Sequence, residues 1–124
     1  MVVNNLYFLD SLHYLPLSLK SMPKSFNLKC KKGYSHHFFN TANNLDYVGS
    51  HSELKFYGAD FMCGDERTLF SACYEGTKDK MFDSGEDLLA YWLDDVNILR
   101  QACCAFRNLF SKLVKKDPFG KSLE

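Results

Sequence analysis

A chain of 124 residues has room for one domain at most. An apolar share of 46%, with 11 Phe and 7 Tyr, excludes wholesale disorder. Formal net charge is zero, which alone points to neither nucleic acid nor membrane, and no apolar run is long enough to cross a bilayer.

Leu6-Tyr7-Phe8-Leu9 is a short apolar run ending at Asp10, and it reads as a buried strand. Pro16 and Pro23 bracket Leu17 to Met22, enough for one or two helical turns. From Asn27 to about Gly58 no sustained period appears, which predicts a long loop with a short strand in it. Gly64-Asp65-Glu66 opens a helix expected to run to about Lys78, with acids at its positive end.

The last element is the clearest. Ser84 is a candidate cap with Asp87 three residues on, close to a capping box. Apolar side chains then fall at Leu89, Trp92, Val96, Leu99, Cys103, Phe106, Phe110 and Leu113. Steps of three and four sustained for about seven turns predict a helix to about Lys116 with this stripe buried. Lys112, Lys115 and Lys116 suit its negative end, and Asp117-Pro118 stops it.

Charge is distributed unevenly. Ser11 to Thr41 holds Lys20, Lys24, Lys29, Lys31 and Lys32 and no acid, whereas Asp79, Asp83, Glu86, Asp87, Asp94 and Asp95 gather later. A basic segment beside an acidic cluster is what a site for phosphates and metal ions needs; two ordinary solvated surfaces look the same. The five cysteines (Cys30, Cys63, Cys73, Cys103, Cys104) are odd in number and include no CxxC pair. The N-terminus has neither the basic start nor the apolar run of a signal peptide. Reduced thiols in an intracellular protein are therefore expected, with nucleus and cytoplasm undistinguished. A zinc site from Cys30, His36, His37 and Cys63 fits no usual ligand spacing.

Two patterns carry more chemistry. The first is Asp10-Ser11-Leu12-His13-Tyr14-Leu15-Pro16, followed by Lys24-Ser25-Phe26-Asn27-Leu28 and Lys31-Lys32-Gly33-Tyr34. The second is Tyr91-Trp92-Leu93-Asp94-Asp95, a YxxxD on the long helix. With His37-Phe38-Phe39-Asn40 between them, this ordered set resembles the exonuclease domain of protein-primed family B DNA polymerases, above all the transposon and virus-like members. The resemblance covers nearly the whole chain. It implies an α/β fold: an incomplete ribonuclease H-like exonuclease domain over residues 1–124, with a long C-terminal helix and the polymerase domain absent.

Roles follow from the same resemblance. Asp95 would be a ligand of one of two Mg²⁺ or Mn²⁺ ions, and Tyr91 would orient the attacking water. Residues four apart on a helix share a face, so their hydroxyl and carboxylate are free to converge. Lys32 would neutralise charge at the scissile phosphate. Lys31 competes for that role, because a hydrophobic residue three positions on is found after Lys31 (Tyr34) and not after Lys32 (Ser35). Ser11 and Leu12 would grip single-stranded DNA or the terminal protein primer. The intact enzyme would use DNA, deoxynucleoside triphosphates and that terminal protein, with no membrane partner.

The DxE of the first exonuclease motif and the Asn and Asp of the second should precede Asp10, and no polymerase motif follows. The chain is therefore expected to be a truncated or decayed product that binds no metal ion and is inactive alone. Two non-enzymatic alternatives remain: a helical protein-interaction module and a DNA-binding remnant using the lysine-rich segment.

Overall fold

Asn4 and Asn5 both adopt left-handed backbone, at φ of 48° and 66°. Their short amide side chains tolerate this conformation, and two such residues in succession make a tight hairpin turn. Val2–Val3 (β1) therefore pairs antiparallel with Leu6–Tyr7 (β2), Val2 opposite Tyr7 and Val3 opposite Leu6. The computed structural model describes residues 1–120, and this hairpin corrects the expectation of a buried strand. Val2, Val3, Leu6, Tyr7, Phe8 and Leu9 are 45% to 63% exposed. A two-stranded ribbon has no second layer, so nothing of its own covers these side chains.

Among the described residues the architecture is mixed α/β, with two small sheets and a long C-terminal helix. Its elements fall into two compact units, residues 1–32 with the chain from Asp94 onward, and residues 33–93.

In the first unit a single helical turn, Met22–Ser25 (α1), carries Pro23 in its opening residues. The turn starts at Met22 instead of ending there as expected, because proline suits a first turn whose N–H groups have no intrahelical partner. Leu15, Met22, Ile98 and Ala102 form the buried core, with Tyr14, Leu17, Leu19, Phe26, Leu28, Leu99 and Phe106 packed around it. Beyond the last helix Asp117 accepts the Phe119 N–H at 3.1 Å and pairs with Arg107. Phe119 meets the rings of Tyr14 and Phe106 at centroid distances of 5.0 and 6.0 Å.

The second unit pairs Val48–Gly49 (β3) antiparallel with Phe82–Asp83 (β4). Gly64–Glu75 (α2) lies between them in sequence, three residues shorter than expected, with turns at Thr77 and Lys78 still bonded to the Tyr74 carbonyl. Tyr57, Ala59 and Phe70 are buried beneath Tyr34, Met62 and Tyr74. The expected long loop is a series of short 3-10 turns around β3.

The long helix, Ser84–Val114 (α3), runs unbroken for 31 residues and contributes to both units. Its cap is Asp83, whose Oδ1 accepts the Glu86 N–H at 3.0 Å; Ser84 is already helical. It ends where Lys115 turns left-handed at φ 58°. The most buried line is displaced by one residue from the expected stripe, of which Leu99, Cys103 and Phe106 still pack against the core. Leu88, Ile98 and Ala102 are buried, with Tyr91 and Asp95 half-buried on the same line, whereas Leu89, Trp92, Val96 and Leu113 are exposed. The two lines differ by one residue, about 100° around the helix, and both are largely apolar. Periodicity therefore identified the helix and the C-terminal half of its covered face, where Leu99, Cys103 and Phe106 pack against the core, but not the N-terminal half.

Candidate functional site

Asp10 acts through its carboxylate on the turn that follows it. Its Oδ1 accepts the Leu12 N–H at 2.9 Å and caps the 3-10 turn Ser11–His13. The Ser11 carbonyl then accepts N–H groups of Tyr14 and Leu15, at 3.0 and 2.8 Å. Burial of Leu15 anchors the turn, which presents Leu12 60% exposed beside the half-buried Ser11.

The segment after α1 alternates. Phe26, Leu28 and Cys30 pack against the core of the first unit, while Asn27, Lys29 and Lys31 are exposed. Lys32 follows on the inward side. Its Nζ donates to both carboxylate oxygens of Asp95, each at 2.8 Å, with the two side chains 23% and 25% exposed. Two residues earlier the Cys30 thiol donates to Gln101 Oε1 at 3.6 Å, and Gln101 Nε2 donates to Asn97 at 3.2 Å. The segment is thus held to α3 at two points, Asp95 and Gln101, about 1.7 turns apart. Lys31 takes no part in this. A Cβ at Gly33 would meet nothing within 4 Å, so no steric demand selects glycine after the lysine.

Tyr91 precedes Asp95 by one turn of α3 and belongs to the second unit, where its ring stands edge-on to His37 at 6.0 Å. In the same unit the His36 ring is only 1% exposed, with Phe82 at 4.7 Å and Phe39 and Tyr57 each at 5.6 Å. Its Nδ1 lies 3.5 Å from Asp87 Oδ2, and neither ring nitrogen has a hydrogen-bond partner among the described residues. Burial pushes the His36 pKa down, against a weaker upward pull from Asp87. Burial likewise raises the Tyr57 hydroxyl.

Three features of the structure lie beyond the sequence motifs: the Asp10 cap, the Cys30–Gln101 contact and the buried His36. The first is visible in retrospect as an Asp ahead of a turn, and the second in the alternation from Phe26 to Lys32. Nothing in the sequence distinguishes His36 from its neighbour His37.

The residues do not by themselves fit a pair of divalent ions. Both oxygens of Asp95 are engaged by the Lys32 ammonium, and among the described residues no three His, Cys, Asp or Glu side chains are grouped to hold a metal ion. All five cysteines are unpaired thiols.

Residues 2–118 match the family described as DNA polymerase type B, organellar and viral. The chain belongs to this family. No curated protein and no solved structure matches it. The match embraces Ser11 and Leu12, the Lys32–Asp95 pair and Tyr91, so all of these site residues lie within the type B polymerase homology. No helix among the described residues is long and apolar enough to cross a membrane.

Proposed function

We propose that this type B polymerase chain is the C-terminal part of a ribonuclease H-like 3′-5′ proofreading exonuclease domain, from a polymerase of the protein-primed kind. The observation that carries the reading is the Lys32–Asp95 pair. Two residues assigned to one site on motif grounds, 63 apart in sequence, meet at 2.8 Å. The exposed apolar hairpin of residues 2–9 supports it too, since central strands from elsewhere in such a domain would cover that face.

In this assignment Asp95 is one carboxylate of a Mg²⁺ or Mn²⁺ site completed by carboxylates from outside residues 1–124. The ions would stabilise the entering and leaving oxygens of the phosphodiester. The Lys32 ammonium holds the Asp95 carboxylate in one orientation and offers positive charge to the scissile phosphate. The Tyr91 hydroxyl orients water, and Ser11 and Leu12 hold the single strand or the terminal protein. The intact enzyme would extend primers with deoxynucleoside triphosphates; residues 1–124 alone would neither extend nor trim.

The test joins this chain to an upstream segment bearing the DxE and the second motif, and assays 3′ trimming of single-stranded DNA with Mg²⁺. Trimming by the joined protein and none by residues 1–124 is expected. Trimming by residues 1–124 alone, abolished by Asp95→Ala, would overturn the assignment of the missing carboxylates.

A further inference from the structure

Along α3 an apolar stripe faces solvent. Leu89, Trp92, Leu93 and Val96 are 56%, 57%, 60% and 65% exposed, and their spacing on the helix sets them side by side. Trp92 is the only tryptophan in the chain. A contiguous apolar patch rimmed by charge is a docking surface, and tryptophan is a residue type that such surfaces use as an anchor. Glu86, Leu93 and Arg100 recur every seven residues along one edge of this stripe, so the three point the same way. Glu86 and Arg100 are both exposed, and among the described residues neither has an ion-pair partner. Arg100 donates to the neutral Asn97 Oδ1 at 3.1 Å.

We infer that this stripe is an interface between two copies of this chain, paired through α3 in antiparallel orientation. A contact across a two-fold axis must be complementary to itself, and this one is. An axis beside Leu93 sets the two Leu93 side chains together at the centre. Glu86 of each copy, seven residues before the axis, then lies level with Arg100 of the other, seven residues after it. Two opposite-charge pairs close the ends. Leu89 comes level with Val96 of the other copy to within one residue, about 1.5 Å along the helix. A parallel copy would set the acidic first turn, with Glu86 and Asp87, beside itself and align the two helix dipoles. An unrelated apolar partner gives no role to the equal spacing of Glu86 and Arg100 about Leu93. The charge pattern therefore selects an antiparallel second copy. Four apolar side chains make a small interface, so the dimer is weak and reversible. Tyr91 and Asp95 lie on the half-buried line of α3 and take no part, so the contact goes beyond the exonuclease assignment.

The test is sedimentation velocity of residues 1–124 over about 1 μM to 1 mM, a range suited to a small interface, with Trp92 fluorescence read alongside. A concentration-dependent dimer is expected, with a blue shift of Trp92 emission over the same range. Leu93→Glu, which sets two carboxylates together on the axis, should keep the far-UV circular dichroism and weaken the dimer at least tenfold. Glu86→Arg alone and Arg100→Glu alone should each weaken it roughly tenfold, because each turns two attractions into two repulsions. The two substitutions combined should restore it. A monomer throughout would overturn the proposal, as would a dimer that the combined substitution fails to restore. So would association that survives Leu93→Glu and is lost in Leu6→Glu, which would move the contact to the β1–β2 hairpin. So too would a monomer whose Trp92 is buried only on joining the upstream segment, which would give the stripe to the rest of the polymerase. The readout is association without DNA or metal, so its failure is distinguishable from failure of the trimming test.

Discussion

Lys32 Nζ stands 2.8 Å from both oxygens of Asp95, the amine at the end of an irregular segment and the carboxylate on a rigid helix. The segment reaches that point because Phe26, Leu28 and Cys30 are each fixed against the first unit before it. A lysine one residue earlier would point to solvent, as Lys31 does. Core packing thus determines which of two adjacent lysines reaches the acid.

A double-mutant cycle with Lys32→Met and Asp95→Asn, read by urea unfolding, should give a coupling of about 1 kcal/mol, the upper end for a partly exposed pair. Lys31→Met should change stability by less than about 0.5 kcal/mol. Additive effects of Lys32→Met and Asp95→Asn would show that the pair is not formed in solution.

Much of this arrangement could be read from the sequence, but not all of it. The length of α3 followed from its period and its lysine-rich end, and both helix boundaries lay within two residues of expectation. Its covered face followed only in part: Leu99, Cys103 and Phe106 pack against the core, whereas the equally apolar Leu89, Trp92 and Val96 are exposed. Lys32 and Asp95 were named by resemblance; their contact depends on a register between segment and helix that no local spacing encodes. The hairpin turns on Asn4-Asn5, two residues that tolerate left-handed backbone, and its exposure shows that an apolar run does not by itself imply burial.

His36 makes the second unit sensitive to acid. The imidazole is buried and its pKa lies below the ordinary value of about 6.5. Above pH 6.5 both folded and unfolded chains hold it neutral, and it contributes no pH dependence. Below that value the unfolded chain takes up the proton first, so the stability due to a neutral buried ring is lost as pH falls through the folded pKa. Urea midpoints at pH 7.5, 6.5 and 5.5 should fall on acidification, and the fall should be smaller in His36→Phe. Asp87→Asn should enlarge it, since that carboxylate is the group opposing desolvation. An identical acid dependence in His36→Phe would remove His36 as the cause.

Gly58 closes a 3-10 turn at φ 71°, and a Cβ there would lie 3.3 Å from Phe38 Cε2. Gly58→Ala should cost about 1–2 kcal/mol from the left-handed backbone alone, plus the displacement of Phe38. Gly64→Ala shares the positive φ, at 54°, but meets nothing within 4 Å. It should cost only the conformational part. Gly33→Ala should be nearly silent. Equal losses at Gly58 and Gly64 would mean that the Phe38 contact is immaterial.

The joined protein described above allows the site residues to be ranked. Asp95→Asn should abolish 3′ trimming, because an amide is a far weaker ligand than a carboxylate for a hard divalent cation. Lys32→Ala should cost roughly 100-fold, the scale for losing one preorganised positive group near developing phosphate charge. It also frees the Asp95 carboxylate to move, so part of the loss should be recovered in Lys32→Arg, which keeps the charge and can still reach the acid. Tyr91→Phe should cost least: the ring and its edge contact with His37 are retained, and a less well-placed water still attacks. Single-stranded DNA affinity in EDTA should be little changed by Tyr91→Phe, separating orientation of water from binding of substrate. A joined protein that folds, binds single-stranded DNA and trims equally well with Asp95→Asn would sink the site assignment. Membership of the polymerase family would stand, and the Lys32–Asp95 pair would be left as a fastening between the segment and α3.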